Sequence, residues 1–134
     1  MNHVTRSILA FVAGALLATS TAAALDCPSL TVKNLWVYTQ TGTLVATVDS
    51  PVLSQQRGWA LCSLNSTVGL ITPDMCSTIY TTLLVAKTTQ TQVVISFANG
   101  LQNGSGGTAL TCDDVPTFDI DGVAPHVWYV RLNP

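Results

Sequence analysis

The sequence contains no glutamate, and its entire charge is five lysines and arginines against seven aspartates in 134 residues. That scarcity removes whole classes of chemistry. The cations beyond the amino-terminal segment are Lys33, Arg57, Lys87 and Arg131. So few and so scattered, they do not neutralise a run of phosphates, which excludes nucleic acid as a partner. Histidine is almost as rare: His3 lies at the amino terminus and His126 near the other end. Nucleophilic hydrolysis needs a serine or cysteine with a base in reach, and no G-x-S-x-G elbow presents a serine. Acid–base work on glycosides needs two placed carboxylates, but the acidic residues that cluster, Asp113-Asp114 and Asp119-x-Asp121-Gly122, read as a solvated turn. No catalytic residue and no cofactor is expected, and the chain reads as a protein that is not an enzyme.

Metal sites fare no better. There is no C-x-x-C pair, and His126 is remote in sequence from every cysteine, so zinc has no ligand set. Asp-x-Asp-Gly is a fragment of a calcium loop that lacks its remaining ligands and its closing glutamate. Asn65-Ser66-Thr67 and Asn103-Gly104-Ser105 match the N-glycosylation pattern, which carries meaning only in a eukaryotic source.

Long apolar runs are also missing. Ile8 to Ala18 is apolar but falls short of the roughly 20 residues that span a bilayer. With Arg6 before it and Ala22-Ala23-Ala24 behind it, the run reads as a signal peptide over residues 1–24. The mature chain, residues 25–134, is then a single domain with no membrane span. Its four cysteines, Cys27, Cys62, Cys76 and Cys112, are an even number in an exported chain. That argues for two disulfides and a secreted or periplasmic protein. Three pairings are possible, and spacing does not choose among them.

What is present is a β pattern interrupted once. Residues 31–39 are rich in β-branched and aromatic types and read as a strand. Gln40-Thr41-Gly42 is a turn, and residues 43–48 alternate as a second strand, with Leu44, Ala46 and Val48 on one face. Residues 59–63 read as a third. Then the period changes: Thr72-Pro73-Asp74 combines a cap, a first-turn proline and an acid suited to the helix dipole. Ile79, Leu83 and Ala86 recur at helical spacing, widened by Tyr80 and Leu84, until the helix fades at Thr88-Thr89. Residues 93–97 form a fourth strand and residues 127–132 a fifth, with loops at 99–108 and 113–122 between them.

Three strands, a helix and two strands is the element order of an OB-fold, a small five-stranded barrel with a helix between its third and fourth strands. A disulfide-stabilised OB-like barrel, mostly β with one helix, is therefore the expected fold. An open sheet with the helix on one face is the competing architecture.

The segment Ser77-Thr78-Ile79-Tyr80, with Thr88-Thr89 and Val93-x-Ile95 after it, resembles the matching helix and strand in B subunits of subtilase-cytotoxin and pertussis-like toxins. Cys62-Ser63 followed by Asn65-Ser66 is similar to that family's third strand and its exit. The likeness spans residues 62–97. It implies an exported OB-fold that binds glycans, commonly as a homo-oligomer beside a catalytic subunit. That family ties its second and third strands with a cysteine pair, and here residues 43–48 contain no cysteine.

Binding candidates come from the aromatics. Trp36 and Tyr38 share one strand face opposite Leu35 and Val37, so one pair looks outward, and an outward Trp–Tyr pair suits stacking on a sugar or a neighbouring subunit. Tyr129 and Arg131 share a face of the last strand. Two functions follow: a glycan-binding module, or an exported inhibitor or envelope protein whose loop at 99–108 or 113–122 enters another protein.

Overall fold

The structure, a computed structural model, describes residues 24–98, 101, 105–118 and 127–133. All but the last residue of the expected signal peptide, His126, Asp119 and Asp121 lie outside these residues, as do parts of both long loops.

The first strand, β1, runs Leu25–Tyr38 and begins six residues before the predicted start. Pro28 concealed this, because proline cannot donate to a ladder. It is tolerated at a kink: the register slips between Cys27 and Leu30, and Ser29 turns to φ 56°. At that kink β1 changes partner. Its first half pairs with β4 (Gln92–Phe97) through Cys27↔Ile95 and Leu30↔Val93. Its second half pairs with β2 (Thr43–Asp49) through Val37↔Leu44 and Leu35↔Ala46.

The turn between β1 and β2 closes with the Gly42 N–H donating to the Tyr38 carbonyl at 2.8 Å. Gly42 sits at φ 69°, which favours glycine, and a Cβ there would meet the Asn65 side chain at 2.5 Å, so any other residue would have to displace that side chain.

β3 (Arg57–Ser63) pairs with β2, and β5 (Val127–Asn133) pairs with β4. The result is a five-stranded antiparallel sheet in the order β3-β2-β1-β4-β5. The closed barrel expected from the sequence is not formed: among the described residues β3 and β5 share no pairing. Part of the reason lies at the free edge of β3. There the Phe118 N–H donates to the Gly58 carbonyl at 2.6 Å, so a loop segment takes a position that a closing strand would need.

The helix α1 spans Pro73–Thr89, as its cap signals predicted. Thr72 Oγ1 accepts from the Met75 N–H at 3.3 Å, and Gln90 ends the helix in the left-handed region with its N–H on the Ala86 carbonyl. Cys76, Ile79, Leu83 and Ala86 are buried in the same core as Trp59, Val93, Ile95 and Phe97. Tyr80 packs against that core, but Leu84 is 41% exposed and does not widen the stripe as expected. Threonine is a mediocre helix former, yet Thr78, Thr81, Thr82, Thr88 and Thr89 each donate their hydroxyl to a carbonyl one turn earlier. Their polar atoms are thus satisfied without leaving the helix.

Two disulfides tie the elements together: Cys27–Cys112 and Cys62–Cys76. The second depends on a bulge. Val45 pairs with Ala60 and Leu44 with Cys62, so Leu61 is the extra residue, and both Leu61 and Cys62 enter the core. This presents the Cys62 sulfur to the first turn of α1. No described helix is long and apolar enough to cross a membrane.

Candidate functional site

The inner face of the sheet carries the core, so the exposed side chains lie on the outer face and at the ends. On β1, Leu35 and Val37 pack against the core while Trp36 is 40% exposed on the opposite side. Tyr38 shares that side and is half-buried. Its hydroxyl donates to Gln40 Oε1 at 2.9 Å, which holds the ring at the end of the strand.

Opposite Trp36 stands Val45, and opposite Val45 stands Ala60. Both are buried although they belong to the outer face. Phe118 approaches from beyond β3, and its ring lies 6.0 Å from that of Tyr38, tilted by 59°. Trp36, Tyr38 and Phe118 thus surround a small apolar patch, with Gly58 and Ala60 keeping β3 low beneath it. Asn34, Thr43 and Thr47 on the same face add neutral hydrogen-bonding groups and no charge.

Residues 113–122 read in the sequence as an acidic loop, in which Phe118 carries no periodic pattern. The available signal was an aromatic ring within a polar stretch.

The other two candidates sit elsewhere. The Tyr129 hydroxyl donates to Asp26 Oδ1 and Oδ2 at 3.2 and 3.1 Å, and Ser96 Oγ donates to Oδ1 at 2.5 Å. Arg131 is exposed on β5 opposite Val94. Asp26 and Trp36 are both on β1 but separated by about 30 Å of strand at ~3.3 Å per residue. The four sequence candidates therefore form two groups, Trp36 with Tyr38 and Tyr129 with Arg131.

A concavity of about 740 Å³ opens where the β3–α1 connection meets the start of β5, lined by Leu70, Ile71, Met75, Ala98, Val127 and Trp128. Leu70, Met75 and Trp128 are largely exposed there. The sequence signal, an unpatterned Leu70 between Gly69 and Ile71, is slight.

The acidic stretch has structural work. Asp113 Oδ1 accepts from Arg57 Nε and Nη2 at 3.3 and 3.1 Å, and both its oxygens accept from the Ser54 N–H. Asp114 Oδ2 accepts from the hydroxyl and N–H of Thr111 and from the Leu110 N–H, capping the short 3-10 turn at Cys112–Asp114. No group of three metal-ligating side chains occurs among the described residues.

Desolvation pushes the Asp113 carboxyl up, but the Ser54 and Arg57 hydrogen bonds outweigh it and hold the group below its ordinary value. Thr111 does the same for Asp114. A carboxyl lowered on folding stabilises above its unfolded pKa of about 3.9, and loses that contribution as pH falls through the lower folded value. Asp113→Asn should therefore melt earlier than wild type at neutral pH, with the gap closing in acid as pH falls through the lowered folded pKa. Melting curves across that range test this, and a gap that persists in acid would defeat it.

These features define a disulfide-bonded, mostly β domain with one helix and an aromatic patch on its open face. Compared with known protein families, with curated proteins and with solved structures, the chain matches none.

Proposed function

We propose that this chain is an exported, non-catalytic recognition module of OB-like architecture whose ligand is a glycan bound at Trp36 and Tyr38. The observation that carries the reading is the half-exposed Trp36 beside Tyr38 and Phe118, on a face bordered by Asn34, Thr43 and Thr47. An indole face covers the apolar side of a pyranose, and neutral amides and hydroxyls match its hydroxyl groups. OB-folds bind oligonucleotides or oligosaccharides over the second and third strands and at the loops after the first and fourth. Here the β1–β2 turn and the β4–β5 connection converge on the patch through Tyr38 and Phe118. The lack of cations disfavours the oligonucleotide. The helix between the third and fourth strands and the partly open sheet support the OB-like reading. Two disulfides fit an oxidising compartment, and the resemblance to toxin B subunits agrees with secretion or a periplasmic location.

A glycan array probed with the oxidised protein should show binding above background. Trp36→Ala should weaken that binding by about tenfold or more while leaving the melting temperature within a few degrees, because the ring is half outside the fold. Binding unchanged by the substitution would remove the ligand from this face.

A second reading, an exported inhibitor or envelope protein that docks onto another protein, is favoured by the apolar concavity at Leu70, Met75 and Trp128. It would appear as capture of one protein from an envelope extract, without competition by sugars.

A further inference from the structure

β5 is the last strand of the sheet: one edge bonds β4, and the other faces no described strand. Natural proteins blunt such edges with proline, charged side chains, bulges or very short strands. Val127–Asn133 is seven residues long without proline; its bulge is confined to its start at Trp128, and its one charge is Arg131. Its outer face carries Tyr129 and Arg131. Asp26, to which Tyr129 is bonded, is exposed and has no cation among the described residues. Arg131 is exposed and has no anion among them. Arg131 is thus an unpaired base on the edge strand itself, on the same outer face as Tyr129, whose hydroxyl reaches across β4 to the acid on β1. On the opposite face Trp128 and Leu132 are 54% and 39% exposed.

We infer that β5 pairs with the β5 of a second copy, antiparallel about a twofold axis through Val130. This goes beyond the glycan reading and does not depend on it. In that register Arg131 stands opposite the partner's Tyr129, and Trp128 stands opposite the partner's Leu132. Side chains directly opposite in an antiparallel pair lie about 5 Å apart on the same face. The guanidinium then covers the phenol ring, a cation–π contact, on the side where that ring's hydroxyl is tied to the Asp26 carboxylate. Apolar meets apolar on the other face.

Neighbouring registers fail on the same criteria. Sliding by two residues in one sense puts Arg131 opposite the partner's Arg131, and like charges directly opposite are destabilising. Sliding in the other sense puts it opposite the buried Val127. A slip of one residue sends the charged face against the apolar one. The twofold contact is isologous, so each copy supplies both halves. A single strand pairing buries less than the roughly 1,000 Å² of a stable interface, so the dimer forms and dissociates with concentration. Each dimer carries two Trp36 patches, which gives a multivalent ligand an avidity gain with no new contact.

Sedimentation of the oxidised protein at rising concentration is expected to show a monomer passing into a dimer. Arg131→Glu should weaken the dimer by about tenfold or more, because a carboxylate replaces the cation over the phenol. Tyr129→Lys should weaken it comparably, by setting an ammonium against the partner's Arg131. An equal mixture of the two variants should associate again, since the carboxylate introduced in one chain then faces the ammonium introduced in the other. Near-ultraviolet circular dichroism of each variant verifies the fold, and recovery on mixing is a result that misfolded chains do not give. A monomer at every concentration would overturn the inference. So would a dimer that neither substitution weakens, or two weakened variants that fail to associate on mixing.

Discussion

A chain in which Cys27 and Cys112 are both replaced by serine is expected to lose more stability than one in which Cys62 and Cys76 are. The first bridge closes a separation of 85 residues and the second one of 14. In the chain-entropy account a bridge acts by restricting the unfolded chain, so its contribution grows with the logarithm of the loop it closes. That gives about 4–5 kcal/mol for the long loop against about 3 kcal/mol for the short one. The structural consequences also differ. Cys27 lies beside the kink at which β1 changes partner, and Cys112 anchors the connection that leads toward Phe118 and β5. Without that bridge the β4–β5 connection is held to β1 chiefly by packing. Urea unfolding of both double-serine variants tests the order. A larger loss from the Cys62–Cys76 pair would mean that residual structure in the unfolded chain outweighs loop entropy.

The second large effect is at Trp59. Its side chain is fully buried on the inner face, and its ring meets Phe97 edge-on with centroids 5.1 Å apart. Trp59→Ala removes the largest buried side chain and leaves a cavity between β3 and β4, at a cost of about 3–5 kcal/mol. Trp59→Phe should behave very differently. The indole Nε1 is the one buried side-chain nitrogen or oxygen without a partner among the described residues. A buried unpaired donor already costs about 1–3 kcal/mol. Phenylalanine removes that donor and keeps a ring against Phe97, so the variant should lie within about 1.5 kcal/mol of wild type. Chemical denaturation of both variants reads the contrast. If phenylalanine proved as damaging as alanine, the indole nitrogen would have a bonding partner after all.

Much of this architecture was open to a local reading. The helix is announced by Thr72, Pro73 and Asp74, each of which acts on backbone groups within one turn, and its buried stripe follows from a period that needs no tertiary information. β2, β4 and β5 were legible because alternation and β-branched composition report a half-buried strand directly. That Trp36 and Tyr38 share a face follows from the same alternation along β1, but which of the two faces turns outward does not. The first half of β1 was not legible, since Pro28 reads locally as a stop and is harmless only at a kink created by two different partners. Phe118 was missed for a related reason: its neighbours in the chain are polar, and its aromatic neighbour Tyr38 is 80 residues away.

Local pattern was sufficient for the kinds of element, their order and which residues share a face, because those depend on backbone geometry within a few residues. Which cysteines join, where the sheet opens and which aromatic rings meet were settled by folding alone. Each depends on groups far apart in the chain and on a slip of register, Leu61 in β3 or Ser29 in β1, that moves a side chain to the other side of the sheet.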